Sequence, residues 1–228
     1  MKNKMSVTVV IPTLNEIDGI KAILPKIQKK WADEWFIIDG GSIDGTIEEA
    51  KKYGFKVVHQ KSNGLGAGYR EAVKLAKSDY VLFFHPDGNC IPEDIVRLIE
   101  KTYEGDYDLV QISRFGYGGV SIDDTPLTSF GNHMFTFLVN TFFGGRLTDA
   151  LFGFKIIKKK IFQSLELDGE FQTAEQQVSI RVLKRKLNIC EIGGVEPKRI
   201  GGEAKMKPLT TGAALSIQII KEFIFWKF

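Results

Sequence analysis

A chain of 228 residues with 43% hydrophobic and 26% charged side chains lies in the ordinary globular range, which excludes disordered, fibrous and collagen-like proteins. Its length lets about 70 to 75% of the unfolded surface be buried, so neither disulfide nor metal is needed for a core, and Cys90 and Cys190 read as reduced thiols of a cytosolic protein with no zinc spacing. The net charge of +3, from 31 basic and 28 acidic side chains, is too small for a nucleic-acid binder.

Residues 1–5 are polar and the apolar run 7–11 is too short for a signal peptide, so the chain is expected to stay inside the cell. Four apolar runs, 7–11, 35–38, 55–58 and 80–84, are β-branched or aromatic and read as buried strands. Between them, 17–30, 46–53 and 67–77 repeat apolar residues at three and four, as in Ile20, Ile23, Leu24 and Ile27, and read as helices. This alternation predicts an α/β, Rossmann-like domain, a mostly parallel sheet flanked by helices with ligands at the carboxyl ends of the strands. A helix over 92–103 with Pro92 in its first turn and a strand over 109–113 continue the pattern.

Beyond Ser113 the alternation weakens: helices are expected over 127–143, 173–187 and 212–226, and short strands over 154–157 and 189–192. Residues 125–145 form a 21-residue stretch without Asp, Glu, Lys or Arg, but twelve of them are Thr, Ser, Asn, His, Pro or Gly, which argues for a core or interfacial helix and against a spanning one. No linker or repeat divides the chain. It is expected to be a single domain over 1–228, with a nucleotide half at 1–114, an acceptor half at 115–206 and a C-terminal helical segment at 207–228. In that last segment Leu215, Ile219, Phe223 and Trp226 share helical spacing, a face suited either to a membrane interface or to the protein's own core. Charge is uneven too. Residues 1–154 carry 17 basic and 20 acidic side chains, net −3, and 155–228 carry 14 and 8, net +6, so the last third is either a solvated basic face or the side that meets an anion or anionic membrane.

Four strand-end loops concentrate carboxylates, amides and glycines: Pro12-Thr13-Leu14-Asn15-Glu16, Asp39-Gly40-Gly41-Ser42-Ile43-Asp44-Gly45-Thr46, Asn63-Gly64-Leu65-Gly66-Ala67-Gly68 and His85-Pro86-Asp87-Gly88-Asn89. Each alone could be turn or capping chemistry. Together, at one sheet edge, they suit a polar ligand. The Gly64 run is no dinucleotide fingerprint, because Tyr69 stands in place of the third glycine. Its glycines could still admit a phosphate to a helix N-terminus.

The order of these loops, followed by Ser113-Arg114-Phe115 with Gly118-Gly119, Asp149 with Gly153-Phe154-Lys155, and Arg199-Ile200-Gly201-Gly202-Glu203-Ala204-Lys205-Met206, resembles the family 2 glycosyltransferases. Within them it is similar to the polyprenyl-phosphate sugar synthases of the dolichyl-phosphate mannose synthase kind, over roughly 7–206. The resemblance implies a GT-A-type fold and inverting transfer of a hexose from a GDP-mannose or UDP-glucose type of donor to a dolichyl or undecaprenyl phosphate. It implies donor contacts from Pro12, Thr13, Asn15, Glu16, Asp39, Ser42, Asp44, Gly64, Gly66, Arg199 and Lys205. Asp87, with Asn89 and His85, aligns with the family's metal motif and implies Mg²⁺ or Mn²⁺. The first carboxylate of that motif is replaced by His85, which could be a Mn²⁺ ligand, a hydrogen-bond donor or a cap before Pro86. Arg114 and Lys155 are implied to hold the acceptor's anion, Phe152 and Lys155 replacing the family's Ser and Arg.

Glu175 lies where the family often has an acidic residue near the acceptor; it is either a general base or a first-turn carboxylate favoured by the helix dipole. A polyprenyl phosphate is already an oxyanion at neutral pH and needs no base, whereas a sugar hydroxyl, the alternative acceptor, does. The resemblance further implies a cytoplasmic protein, peripheral at the cytoplasmic face of a membrane, with a separate membrane-protein partner or a homo-oligomer as possible assemblies and no nucleic acid. The other classes left open are a catalytically impaired nucleotide-binding regulator and a nucleotidyltransferase on a similar sheet.

Overall fold

The computed structural model describes residues 5–201 and 207–226. Its first half is the expected alternation: β1 (Val7–Thr13), α1 (Ile17–Ile23), β2 (Glu34–Asp39), α2 (Thr46–Lys52), β3 (Lys56–His59), α3 (Leu65–Leu75), β4 (Tyr80–Phe83), α4 (Asp94–Glu104) and β5 (Leu109–Ser113). The helix expected over 17–30 stops at Ile23. Pro25 has no N–H for the α-helical ladder, and the chain continues as short 3₁₀ turns at Leu24–Lys26 and Lys29–Trp31. Pro92 lies in the turn before α4, not in its first turn: the amide of Ile95 donates to the carbonyl of Pro92 at 3.1 Å.

The second half adds β6 (Val120–Ser121), α5 (Pro126–Phe143), β7 (Lys155–Lys158), α6 (Lys159–Ser164), α7 (Gln172–Lys184), β8 (Ile189–Gly193), β9 (Val195–Glu196) and α8 (Pro208–Ile224). A local code fixes α5: Thr125 and Thr128 form a capping box, Pro126 follows at the first helical position, and Gly144 closes the helix in the left-handed conformation.

Seven strands form one sheet in the order β3-β2-β1-β4-β7-β5-β8. The pairs around β1 and β2 and the β5–β8 pair are parallel; β7 runs antiparallel between β4 and β5. Side chains alternate through it. Val9, Ile11, Ile37 and Leu82 face α1, α2 and α4 on one side, while Val10, Phe36, Ile38 and Phe83 face α3, α6 and α7 on the other. A third cluster joins Phe135 and Val139 of α5, Ile180 of α7, and Leu215 and Ile219 of α8.

That cluster bears on the two readings of the terminal helix, membrane interface or the protein's own core. Leu215 and Ile219, half of the face considered for a membrane interface, are buried against the protein, and Phe223 touches Phe142 and Phe143. Trp226 lies under the Arg181 guanidinium. The apolar residues that α8 exposes are Leu209, Ile217, Ile220, Phe223 and Ile224, beside Phe137 and Phe142 of α5. A buried ion pair clamps α8 to α7: Glu222, fully buried, accepts from Arg181 Nε at 3.0 Å and Nη2 at 2.7 Å, and from Gln177 at 2.6 Å. Among the described residues, no helix is long and apolar enough to cross a membrane.

Candidate active site

The carboxyl ends of β1, β2 and β4 open onto one cavity of about 1200 Å³. Of the residues singled out from the sequence, Pro12, Thr13 and Glu16 line it from the end of β1, Gly64 from the start of α3, and His85, Asp87 and Asn89 from the end of β4. Arg114 and Arg199 complete the set brought together there. Asn15, Asp39, Ser42, Asp44, Gly66, Lys155 and Glu175 do not line it, and Lys205 lies outside the described residues.

The 39–46 loop spends its polar atoms on itself. Asp39 is fully buried: Oδ1 accepts from the amides of Gly41 (2.9 Å) and Ser42 (2.8 Å), and Oδ2 from the hydroxyls of Thr13 (2.7 Å) and Ser42 (2.6 Å). Asn15 ties the first loop to it, accepting from the amide of Ile43 and donating its own amide to Ser42. Asp44 accepts from Thr46 and from the amide of Ile17; burial pushes its carboxyl up, but these bonds outweigh it and hold it below the ordinary range. The direct donor contacts expected of Asp39 and Asp44 therefore meet oxygens already engaged by protein donors.

The phosphate approach expected at Gly64 and Gly66 is likewise filled by the protein. A Cβ on Gly66 would lie 1.9 Å from the carbonyl of Gly169, so this glycine is required by the loop packed on α3. Glu170 from that loop accepts from the amide of Ala67 at 3.2 Å and pairs with Arg70 at 2.5 Å, placing a carboxylate at the N-terminus of α3.

At the end of β4, Arg199 bridges carboxylates from two neighbouring strand-end loops, with Nη1 2.7 Å from Asp87 and Nη2 2.6 Å from Glu16. The amide of Ile200 donates to the carbonyl of Asp87, closing the 197–200 segment onto this loop. Asn89 turns its side-chain N–H to the carbonyl of Pro197 at 2.8 Å and its backbone N–H to Asp87. Among the described residues, no three His, Cys, Asp or Glu side chains gather as a metal cage. A divalent ion would thus take one or two ligands here and the rest from a diphosphate and water. The residues fit such an ion: carboxylate oxygen is an ordinary donor to Mg²⁺ and Mn²⁺, imidazole nitrogen to Mn²⁺, and a guanidinium already occupies the place of a cation between Asp87 and Glu16.

Two expected anion holders are neutralised inside the protein. Arg114 is buried and grips Asp149 through Nε (2.7 Å) and Nη2 (3.1 Å), with Glu196 at 3.3 Å from Nη1. Burial works against its charge, but these carboxylates outweigh it and raise its affinity for the proton. Burial also pushes the Glu196 carboxyl up, against the pull of Arg114. Lys155, on β7 opposite Phe83, is almost fully buried with Nζ 2.8 Å from Glu175 Oε2, an ion pair that makes no well-directed hydrogen bond. Neither side chain presents an unpaired charge to an acceptor in this structure.

Glu175 extends the pair into a chain. Its Oε1 accepts from the Tyr69 hydroxyl, which lies 2.7 Å from Nε2 of His85. Burial, followed by the Glu175 charge, raises the Tyr69 phenol well above its ordinary value, so it stays protonated. Gly153 makes room for this chain: a Cβ there would lie 2.7 Å from Glu175 Oε1 and 3.0 Å from His85 Nε2. Sequence reasoning missed Tyr69, noticed only as a broken glycine pattern, and Glu196, which has no local motif. It also missed Phe171, an exposed aromatic at the cavity rim whose φ of 48° is strained for a non-glycine residue. Two adjacent features, the apolar helices α5 and α8, supply the far wall through Leu127, Phe130, Met134, Phe135, Leu209 and Leu215.

Comparison with known proteins agrees with this architecture. Residues 8–166 match the model of the family described as Glycosyl transferase family 2. The chain is 26% identical over 95% of its length to Glycosyltransferase AglJ of Haloferax volcanii, covering 71% of that protein. It is 27% identical over 93% of its length to a dolichyl-phosphate hexose transferase of the same organism, covering 92% of it. A crystal structure of glucosyl-3-phosphoglycerate synthase from Mycobacterium tuberculosis, with Mn²⁺, UDP and phosphoglyceric acid, superposes with a TM-score of 0.73 at 22% identity, over 96% of this chain and 77% of that one. The chain belongs to glycosyl transferase family 2, and its fold is that of the GT-A glycosyltransferases.

Proposed function

We propose that this glycosyltransferase moves a hexose from a nucleoside-diphosphate sugar of the GDP-mannose or UDP-glucose type to a polyprenyl phosphate, with inversion at the anomeric carbon, at a membrane surface. The observation that carries the reading is the continuity of the cavity. One end is built from Pro12, Thr13, Glu16 and Asp87; the other is an apolar wall from α5 and α8, more than a sugar acceptor would need. The relative named a dolichyl-phosphate hexose transferase supports the same acceptor class. In this reading residues 1–114 are the donor half and 115–206 the acceptor half, and the exposed apolar faces of α5 and α8 lie toward the lipid.

Asp87 would hold Mg²⁺ or Mn²⁺, with His85 and Asn89 beside it. When bound, the ion neutralises charge growing on the departing diphosphate. Thr13 and Glu16 orient the nucleotide, and Arg199, once released from Asp87 and Glu16, is placed to face phosphate oxygens. The acceptor phosphate is its own nucleophile, which suits a site where Glu175 is occupied by Lys155 and Tyr69.

The test is a transfer assay with a panel of nucleotide sugars, dolichyl and undecaprenyl phosphates, and soluble sugars, with and without EDTA. Metal-dependent transfer to a lipid phosphate is expected, and Glu175→Gln, which keeps an oxygen for Tyr69, should cost less than the roughly 10²-fold or more lost with a general base. Transfer to a soluble sugar and to neither lipid refutes the acceptor; full activity in EDTA refutes the metal.

A further inference from the structure

We infer that His85 binds the donor's metal ion through Nδ1, and that Tyr69, backed by Glu175, is the positioning residue that fixes the imidazole in the tautomer and orientation this requires. The inference rests on the metal-dependent reading above and goes beyond it by naming the ligand atom and the buried chain behind it.

The direction of the hydrogen bonds carries the argument. A phenol has one proton. The Glu175 carboxylate, paired with the Lys155 ammonium at 2.8 Å, can only accept, so the Tyr69 proton points to Glu175. That leaves a lone pair of the phenol oxygen facing His85 Nε2 at 2.7 Å. Two lone pairs do not approach so closely, so Nε2 carries a hydrogen and donates it. A neutral imidazole protonated at Nε2 has its free lone pair on Nδ1.

Nδ1 has no hydrogen-bond partner among the described residues, and His85 lies on the cavity wall two positions before Asp87. Metal-binding histidines characteristically donate their other ring N–H to a fixed acceptor, which sets the tautomer and aims the ring. Here the acceptor is a phenol locked by a carboxylate that is locked by a lysine, all three nearly fully buried. A histidine that only capped the turn before Pro86 would need no such backing. Gly153 is consistent with this, since a side chain there would press on Glu175 Oε1 at 2.7 Å and crowd His85 Nε2 at 3.0 Å. An imidazole in place of a carboxylate also shifts the site's preference from Mg²⁺ toward Mn²⁺.

The test reads the metal directly. Mn²⁺ is titrated into the protein in the presence of GDP and, separately, UDP, and pulsed EPR detects nitrogen coupled to the bound ion. The wild-type protein should show ¹⁴N coupling that His85→Ala removes. Tyr69→Phe, which deletes one oxygen, should weaken Mn²⁺ about 10- to 100-fold. His85→Asn, whose side-chain oxygen falls near the position of Nδ1, should recover affinity without the nitrogen coupling, whereas His85→Gln, which extends toward Nε2, should not. Mn²⁺ that binds the wild type without nitrogen coupling, or binds Tyr69→Phe as tightly as wild type, overturns this inference and leaves metal-dependent transfer standing. No Mn²⁺ bound with either nucleotide overturns both.

Discussion

Replacing Arg114 by alanine should chiefly cost stability, and the structure sets the scale. The substitution strands Asp149, whose side chain is 0% exposed, and Glu196 at 9%. Removing one partner of a buried ion pair costs roughly 3–5 kcal/mol, because the remaining charge stays buried without compensation. Asp149 retains backbone donors from Arg114 itself, Leu151 and Phe152, each at 3.2 Å, and Glu196 retains the Ser121 hydroxyl. These place the loss near the lower end, about 3 kcal/mol, together with the guanidinium's stacking on Phe115 and Phe152. For a chain of this size that lowers Tm by roughly 6–12 °C. Denaturant unfolding measures it, and Asp149→Asn in the same background should restore part of the loss, since the stranded charge is then gone. A variant with wild-type stability that binds polyprenyl phosphate more weakly would refute the reasoning and return Arg114 to the acceptor's phosphate.

Two further outcomes follow from the outer helices. Ile217→Ser with Ile220→Ser changes side chains that α8 exposes at 66% and 57%; if this face enters lipid, each loses up to about 1.5–3 kcal/mol of insertion, so sedimentation with anionic liposomes should fall at least about tenfold at unchanged stability, and unchanged sedimentation counts against the membrane face. Asp168 is pushed up by burial, but Lys221 and Gln177 outweigh this and hold its carboxyl below the ordinary 3.8, so its contribution is present above that value and is lost as pH falls through the folded-state value. The stability gap between wild type and Asp168→Asn, measured by urea unfolding, should accordingly be wider near neutral pH than at about pH 3; a constant gap would show that the carboxylate's charge is not what the pair uses.

The first half of the fold was legible because its signals are local. Runs such as residues 7–11 and 35–38 are largely apolar on both faces, as strands covered by helices on both sides must be, although the strands run on past them to Thr13 and Asp39. Where two local signals conflicted, the reading failed: Ile27 stays in phase with Ile20 and Ile23 and is buried, but Pro25 breaks the ladder between them. The antiparallel direction of β7 could not be read, since an apolar strand buried on both faces carries no mark of its direction. The terminal helix is apolar nearly all round, so its spacing could not say whether Leu215 and Ile219 or Ile217 and Ile220 face inward. Site chemistry divided in the same way. Asp87 and His85 share one loop and were found together, whereas Arg199 meets Glu16 across 183 residues and Tyr69 meets Glu175 across 106, and no local pattern encodes a partner at that distance.

The charge balance of the cavity connects these pairings to the proposed donor. Its described walls carry five carboxylates, Glu16, Asp87, Asp123, Asp124 and Glu196, against two guanidiniums, Arg114 and Arg199, a net −3 with His85 neutral. Both guanidiniums are committed to carboxylates, so a bare diphosphate would meet repulsion from the unmatched acids. A diphosphate accompanied by a divalent cation brings far less charge, and the cation can take over Asp87 as Arg199 leaves it. In the proposed reading such an exchange would keep Asp87 compensated and would free Arg199, now held by two carboxylates, for phosphate. A histidine with no part in the proposed donor site would not need Tyr69, Glu175 and Lys155 buried behind it. The acid at Asp87, the guanidinium on it and the imidazole beside it, backed by Tyr69, are what favour the proposed donor site over a nucleotide-binding relic.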